Sequence, residues 1–415
     1  MNQTRTDAPG PTKPTERVLA PDLARGVMLL LISIANTPIY LLGRELSESG
    51  FHPDDGSAID KITQGLIITT VDMRVYPMFA FLFGYGMVQL FLRQRNAGAS
   101  ESDARRVLRR RNWWLLGFGL VHAALLFVGD ILGAYGLAGL VLAWLFLRRT
   151  GRTQLVWAGI GTFALGFAAV FSSVGAYLMA TRDIPMENTS FGDYIVLLSY
   201  NVENPDYVAG AVERISLWPV VVLTSGLLTL SVPIAMLIAF WAANRRILEE
   251  AGKHLRLLRT TAVVGITVGW LGGLPHALSH TGVWNVPENA LWAFASTQPF
   301  TGLLCGLGYV AVFGLIGHHL RQRSAHHGVV TTAVTAVGKR SLSCYLAQSV
   351  ISAPLLAAWG LGLGVYLHSA SLLAFAVGVW ALTVVLAYLM ERAGRRGPAE
   401  VLLRRLSYGR PHART

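Results

Sequence analysis

The chain has 415 residues, 53% of them hydrophobic and 14% charged, with a net charge of +12 and a mean hydropathy of +0.47. It is too apolar for an ordinary soluble domain, and apolar runs of about 18 residues or more recur along it, as in a polytopic membrane protein. The basic residues sit in short loops between those runs, not in one patch or beside a nucleic-acid-binding motif, so the charge reports membrane topology and excludes nucleic acid as the partner.

Residues 1–17, rich in Thr, Pro and charge, are expected to be disordered. The apolar stretch after them is too long for a removable signal peptide and lacks its small-residue cleavage site, so it is expected to stay as an anchor. Ten spans follow from the apolar runs: 18–42, 62–92, 112–128, 131–147, 154–180, 215–243, 259–280, 299–320, 330–356 and 370–391. Together they predict an all-α membrane bundle over 18–391, followed by a basic tail, 392–415. The second and sixth exceed the hydrocarbon thickness and must tilt, kink or protrude.

Lys and Arg set the orientation. Of the 35 in the chain, only Arg44, Lys61, Arg182 and Arg214 fall in the alternate loops, and only Arg74 lies within a span away from its inner end. The remainder collect in the N-terminal segment, in 93–111, 148–152, 244–259, 321–327 and the tail, and at the adjoining helix ends, the side that the positive-inside rule makes cytoplasmic. An even number of spans then puts both termini inside, in a multi-pass protein of the cell membrane whose immediate partners are lipids. No solenoid period and no inverted repeat stands out. Cys305 and Cys344 lie inside apolar runs, where neither a thiolate nor a metal site is favoured.

The spans carry polar residues that a bilayer makes expensive. At the inner end of the first, Asp22 and Arg25 are spaced i, i+3 on one helix face, as a local pair or as part of an inner binding site. Asn36, in its outer half, reads as polar glue between helices or as a lining for a substrate path. In the second span, Asp72 and Arg74 project about 200° apart at a helical 100° per residue, so each needs a partner on another helix. They are interhelical fasteners or they line a cavity. His122 lies in the outer half of the third span, and Asp130 occupies the very short turn that follows, as a helix cap or as an active group. An Arg, two Asp and a His at one depth would supply an anion clamp and an acid/base pair, with Asp130 the expected partner of Arg74. His276 and His280 have the i, i+4 spacing of zinc ligands, but no HExxH glutamate and no third ligand accompany them, so they read as interface histidines and no metal is expected. In the ninth span Ser341, Tyr345, Gln348 and Ser352 share one face, as interhelical glue or the wall of a substrate tunnel. Lys339 and Arg340 stand at its inner mouth, where they could reach headgroups or phosphates.

Several of these residues form longer motifs: R-x4-D-x2-RG from Arg17 to Gly26, FAFLFGYG at 79–86, H-x6-GDIL-x2-YG from His122 to Gly136, GKRSLSCYLAQS at 338–349 and GPAEVLLRRLSY at 397–408. From about Arg17 to Tyr408 the chain resembles the YeiB-like membrane proteins, whose C-terminal half, here about 215–408, is domain of unknown function 418. The D-x2-RG signature also resembles the wider transmembrane acyltransferases, among them the lysosomal heparan glucosaminide N-acetyltransferase and the bacterial acyltransferase-three proteins. That resemblance implies a cytoplasmic acyl-CoA co-substrate, no covalently bound cofactor, and a glycan or lipid acceptor across the membrane. On an acyltransferase reading, basic residues near Arg25, the 105–111 cluster with Arg109 and Arg110, and Lys339 and Arg340 are expected to hold acyl-CoA, and His122 or His52, Asp130, Asp72 and Arg74 to act at the reacting atoms. In relatives of the heparan enzyme an Asp precedes a P-x-F stretch, and a catalytic histidine lies upstream. Here Asp72 lies five residues before Pro77, and His52 is the histidine of the corresponding loop. A transporter or exporter, its buried ions gating a substrate, is the alternative.

Overall fold

The computed structural model describes residues 19–408 except 45, 48, 49, 183–201 and 324–327. Residues 1–17, expected to be disordered, lie outside the described set, as do the end of the basic tail and much of the long outer loop. The described residues form helices and no strand; a single bridge joins Leu46 to Pro53. Helix is the local answer to burial in lipid, because it satisfies every backbone N–H and C=O within the segment.

In chain order the helices are α1 (Leu19–Asn36), α2 (Ala58–Thr70), α3 (Val75–Asn96), α4 (Glu101–Leu125), α5 (Ile131–Phe146), α6 (Gly151–Arg182) and α7 (Tyr207–Leu223). They continue with α8 (Ser231–Asn244), α9 (Leu255–His280), α10 (Trp292–Arg323), α11 (Val329–Lys339), α12 (Ser341–Leu356), α13 (Ser369–Arg392) and α14 (Pro398–Tyr408). Seven helical stretches are long and apolar enough to cross a membrane, whereas α5, α8, α11 and α12 are shorter apolar helices. Several ends are capped as their sequences dictate. The Ser100 hydroxyl accepts from Asp103 N at 3.1 Å to start α4, and the Asp206 carboxylate accepts from Val208 N and Ala209 N to start α7.

The core lies around α3 and α8, whose Met78, Leu82, Tyr85, Met236 and Phe240 are almost wholly buried. Helix α6 is peripheral. Its Phe163, Phe167 and Phe171 stack at i, i+4 on the outward face, the arrangement expected where lipid replaces protein as the neighbour.

Three expected spans are interrupted. The second breaks into α2 and α3 at Val71–Arg74, with Met73 at φ 58°. The sixth breaks between α7 and α8, through a π turn at Thr224–Leu228 and then Leu230, also at φ 58°. A left-handed backbone at a non-glycine residue is strained and persists only where packing over-determines it. At the first break α10 supplies that packing: a Cβ on Gly302 would collide with the Met73 carbonyl, and one on Gly306 would lie 2.7 Å from the Arg74 carbonyl. Gly302→Ala should therefore cost about 1–3 kcal/mol by overpacking. A lower melting temperature would show it, with Gly378→Ala, where a Cβ meets nothing within 4 Å, as the unaffected control.

The third interruption corrects the expected ninth span, 330–356. Helix α11 runs antiparallel to α1, with Val334 against Gly26 and Gly338 against Asp22. The chain turns at Arg340 (φ −118°, ψ 30°) into α12. Lys339 Nζ and Arg340 Nη1 both reach the Glu391 carboxylate at the end of α13, at 2.6 and 2.7 Å, which holds the elbow in place.

Candidate active site

One end of the bundle carries the basic loops; the polar residues of interest gather at the other. There α4 ends one turn beyond His122, and the short segment to α5 ends in Asp130. Asp130 is a helix cap and also meets His122. Its Oδ2 caps α5 by accepting from Gly133 N at 2.6 Å, and its Oδ1 lies 3.0 Å from His122 Nδ1. Both side chains are buried, and His122 Nε2 has no hydrogen-bond partner. An unpaired ring nitrogen at such depth is costly, and the Asp on the opposite nitrogen fixes the ring's orientation.

The His122 ring lies 5.2 Å from that of Tyr345 on α12. Tyr345 lines a cleft of about 310 Å³, open mouth included, with Asn36, Gln348, Ser349, Ser352 and Phe127. Of the expected tunnel face, Tyr345, Gln348 and Ser352 line this cleft, as does Asn36, which accepts a hydrogen bond from Tyr76 Oη at 3.3 Å. Ser341 is not among its lining residues; it starts α12 toward the basic end. Gln348 Nε2 is a buried donor with no partner.

The break between α2 and α3 builds a second histidine–aspartate pair. His52 Nε2 lies 2.8 Å from Asp72 Oδ2, although 20 residues separate them. The His52 and His280 rings are 5.9 Å apart, and His280 Nδ1 lies 3.6 Å from Asp54 Oδ1 at the surface. His52 also lines a smaller cleft that meets the first at Thr37, which lines both.

Arg74 corrects an expectation. Its described partners are the Gln298 side chain, the Asp72 carbonyl and, at 2.9 Å, the Gly269 carbonyl. Asp130 is occupied by His122 and Gly133, so the expected pair of Arg74 with Asp130 does not form. The helix break tips Arg74 toward α9 and α10, away from α4. Gln298 in turn donates to His276 Nδ1 at 2.9 Å, so His276 belongs to the arginine's network. Neither Gln298 nor Arg214 announces itself in the sequence. Arg214, assigned to an outer loop by its position, is fully buried on α7, donates to the Ala123 and Ala124 carbonyls at the end of α4 and lies over the Tyr207 ring. It fixes the turn that carries His122.

At the basic end, Arg25 bonds Asp22 at 3.2 Å and the Leu82 carbonyl at 3.0 Å. Arg109 and Arg110 are exposed on α4. Lys339 and Arg340 are engaged by Glu391, and Arg340 also donates to the Arg395 carbonyl. Among the described residues no group of three or more His, Cys, Asp or Glu could hold a metal ion.

Residues 242–410 match the family model described as protein of unknown function (DUF418). Along nearly its whole length the chain is similar to two bacterial proteins. It is 27% identical to the "Uncharacterized protein YxaH" of Bacillus subtilis (strain 168), over 96% of each chain. It is 26% identical to the "Uncharacterized protein YeiB" of Escherichia coli (strain K12), over 94% of this chain and 96% of that one. The chain is thus similar to YeiB-like proteins over nearly its whole length and carries the DUF418 match in its C-terminal part. The Glu391 elbow, Gln298 and α14 all fall within that domain, whereas His52, Asp72, His122 and Asp130 lie before it. The candidate site is therefore assembled from both halves of the chain.

Proposed function

We propose that this protein is a membrane-embedded acyltransferase, moving an acyl group from acyl-CoA on the basic, cytoplasmic side to a glycan or lipid acceptor at the opposite face. The observation that carries the reading is the buried His122, held through Nδ1 by Asp130 with Nε2 unengaged and its ring 5.2 Å from that of Tyr345, which lines the cleft. In the reaction, His122 Nε2 removes the proton from the acceptor hydroxyl as its oxygen bonds to the thioester carbonyl carbon. The tetrahedral intermediate collapses with cleavage of the C–S bond, and the Nε2 proton passes to the departing thiolate. Asp130 stays ionised and stabilises the intervening imidazolium. Gln348 Nε2 and the Tyr345 hydroxyl are the donors nearest to hand for the oxyanion.

One observation favours an exporter instead: a discontinuous helix pair, α2–α3, joined to the surface by Asp54, His280, His52 and Asp72, resembles a proton-coupled path. Purified protein incubated with radiolabelled acetyl-CoA decides between them. Acyltransfer requires saturable binding and slow release of free CoA in detergent, even without the natural acceptor. If acetyl-CoA is neither bound nor turned over, while a pH gradient across proteoliposomes drives substrate movement, the enzyme reading falls.

A further inference from the structure

On α4, Arg111 and His122 are eleven residues apart, three helical turns, and so lie on one face about 16 Å from each other along the axis. Phe83 lies under Arg111, with its ring 5.1 Å from the guanidinium carbon. The Phe83 and Phe79 rings lie 6.0 and 4.8 Å from that of Tyr135. An aromatic wall thus rises from Arg111 toward the His122 end.

At the foot of this wall two cations meet. Arg111 Nη1 is buried without a hydrogen-bond partner, no carboxylate in the described ion pairs belongs to Arg111, and Arg25 is near enough to repel it. Arg25 is engaged by Asp22 and the Leu82 carbonyl, so Arg111, with its unused buried donor beside a second guanidinium, is the fork left to bind an anion with several oxygens. Exposed Arg109 and Arg110 lack this setting, and the charges of Lys339 and Arg340 are met by Glu391.

We infer that Arg111, together with Arg25, forms a phosphate site that seats the diphosphate of the acyl donor, leaving its neutral arm along the Phe83–Tyr135 wall and its thioester at His122. A ligand with an anionic head, an uncharged arm of about 16 Å and a reactive end matches that face. The assignment rests on the acyltransfer reading, but Arg111 separates the two experimentally.

The test uses the full-length protein in detergent, with CoA, 3′,5′-ADP, pantetheine and phosphatidylglycerol nanodiscs as probes. Arg111→Gln should weaken CoA and 3′,5′-ADP binding at least tenfold and leave pantetheine binding unchanged. Arg106→Gln, on the exposed side of α4 in a pair with Asp103, should leave all of them unchanged. His122→Gln should retain CoA binding and lose transfer. Equal CoA affinity in Arg111→Gln and wild type, with transfer intact in wild type, would overturn the phosphate site and leave the acyltransferase standing. Loss of phosphatidylglycerol binding in Arg111→Gln, with no CoA bound by wild type, would make this a lipid-headgroup site and sink both readings. Where Arg111→Gln fails to purify as a monodisperse species, Arg111→Lys replaces it: the charge is kept, the two-pronged fork is lost, and CoA affinity should fall severalfold.

Discussion

Replacing His122 by Gln should lower acyl transfer by about 10²–10⁴-fold, the usual contribution of a positioned general base. Gln keeps approximately the size of the ring and a donor toward Asp130, so the fold should survive and CoA binding should persist. Asp130→Asn tests the same dyad through the orienting group. It should also cut transfer, because a neutral amide no longer stabilises the imidazolium. Asp130 also caps α5 through Gly133 N, and Asn caps helices about as well as Asp. A melting temperature near wild type with transfer lost therefore assigns the effect to chemistry. A variant at His122 that transfers at the wild-type rate would move the base elsewhere, and His52, beside Asp72, would be the next candidate.

Arg74→Ala should cost about 3–5 kcal/mol, because it removes one partner of a buried charged network and opens a cavity where a fully buried side chain stood. The Gln298 side chain and the Gly269 carbonyl would lose their donor, and the Asp72 carboxylate would lose its nearest guanidinium. Arg74→Lys keeps the charge but cannot reach Gln298 and Gly269 with one fork, so it should recover only part of the loss. Thermal unfolding in detergent measures both. Unchanged melting of the Ala variant would show that the network holds nothing together. Gly302→Ala attacks the same helix break from α10, so the two substitutions together should cost less than the sum of their separate effects.

What the sequence determined by itself is whatever the bilayer imposes locally. Hydrocarbon demands helices of a certain length and basic loops on one side, so the all-α bundle, most of its helix positions and the polar residues within them are legible one segment at a time. That His122 and Asp130 lie at one depth was legible too, but their pairing was not: the charge pattern pointed Asp130 to Arg74, and only the structure brings it to His122. Local periodicity is blind to the rest. The excess length of the second and sixth apolar runs demands a tilt, kink or protrusion without saying where they break, and nothing marks the ninth, since Met73 and Leu230 take left-handed backbone only because neighbouring helices hold them there, and Arg340 turns where Glu391 receives it. Periodicity does not name Gln298 as the partner of Arg74, 224 residues away, and it does not distinguish Arg111 from Arg109 and Arg110 in one basic run. Burial makes that last distinction: an arginine facing solvent is satisfied by water, and one packed over Phe83 beside Arg25 is not. Tertiary structure decides which charges are compensated, because compensation depends on what packs across from a residue and not on what precedes it in the chain.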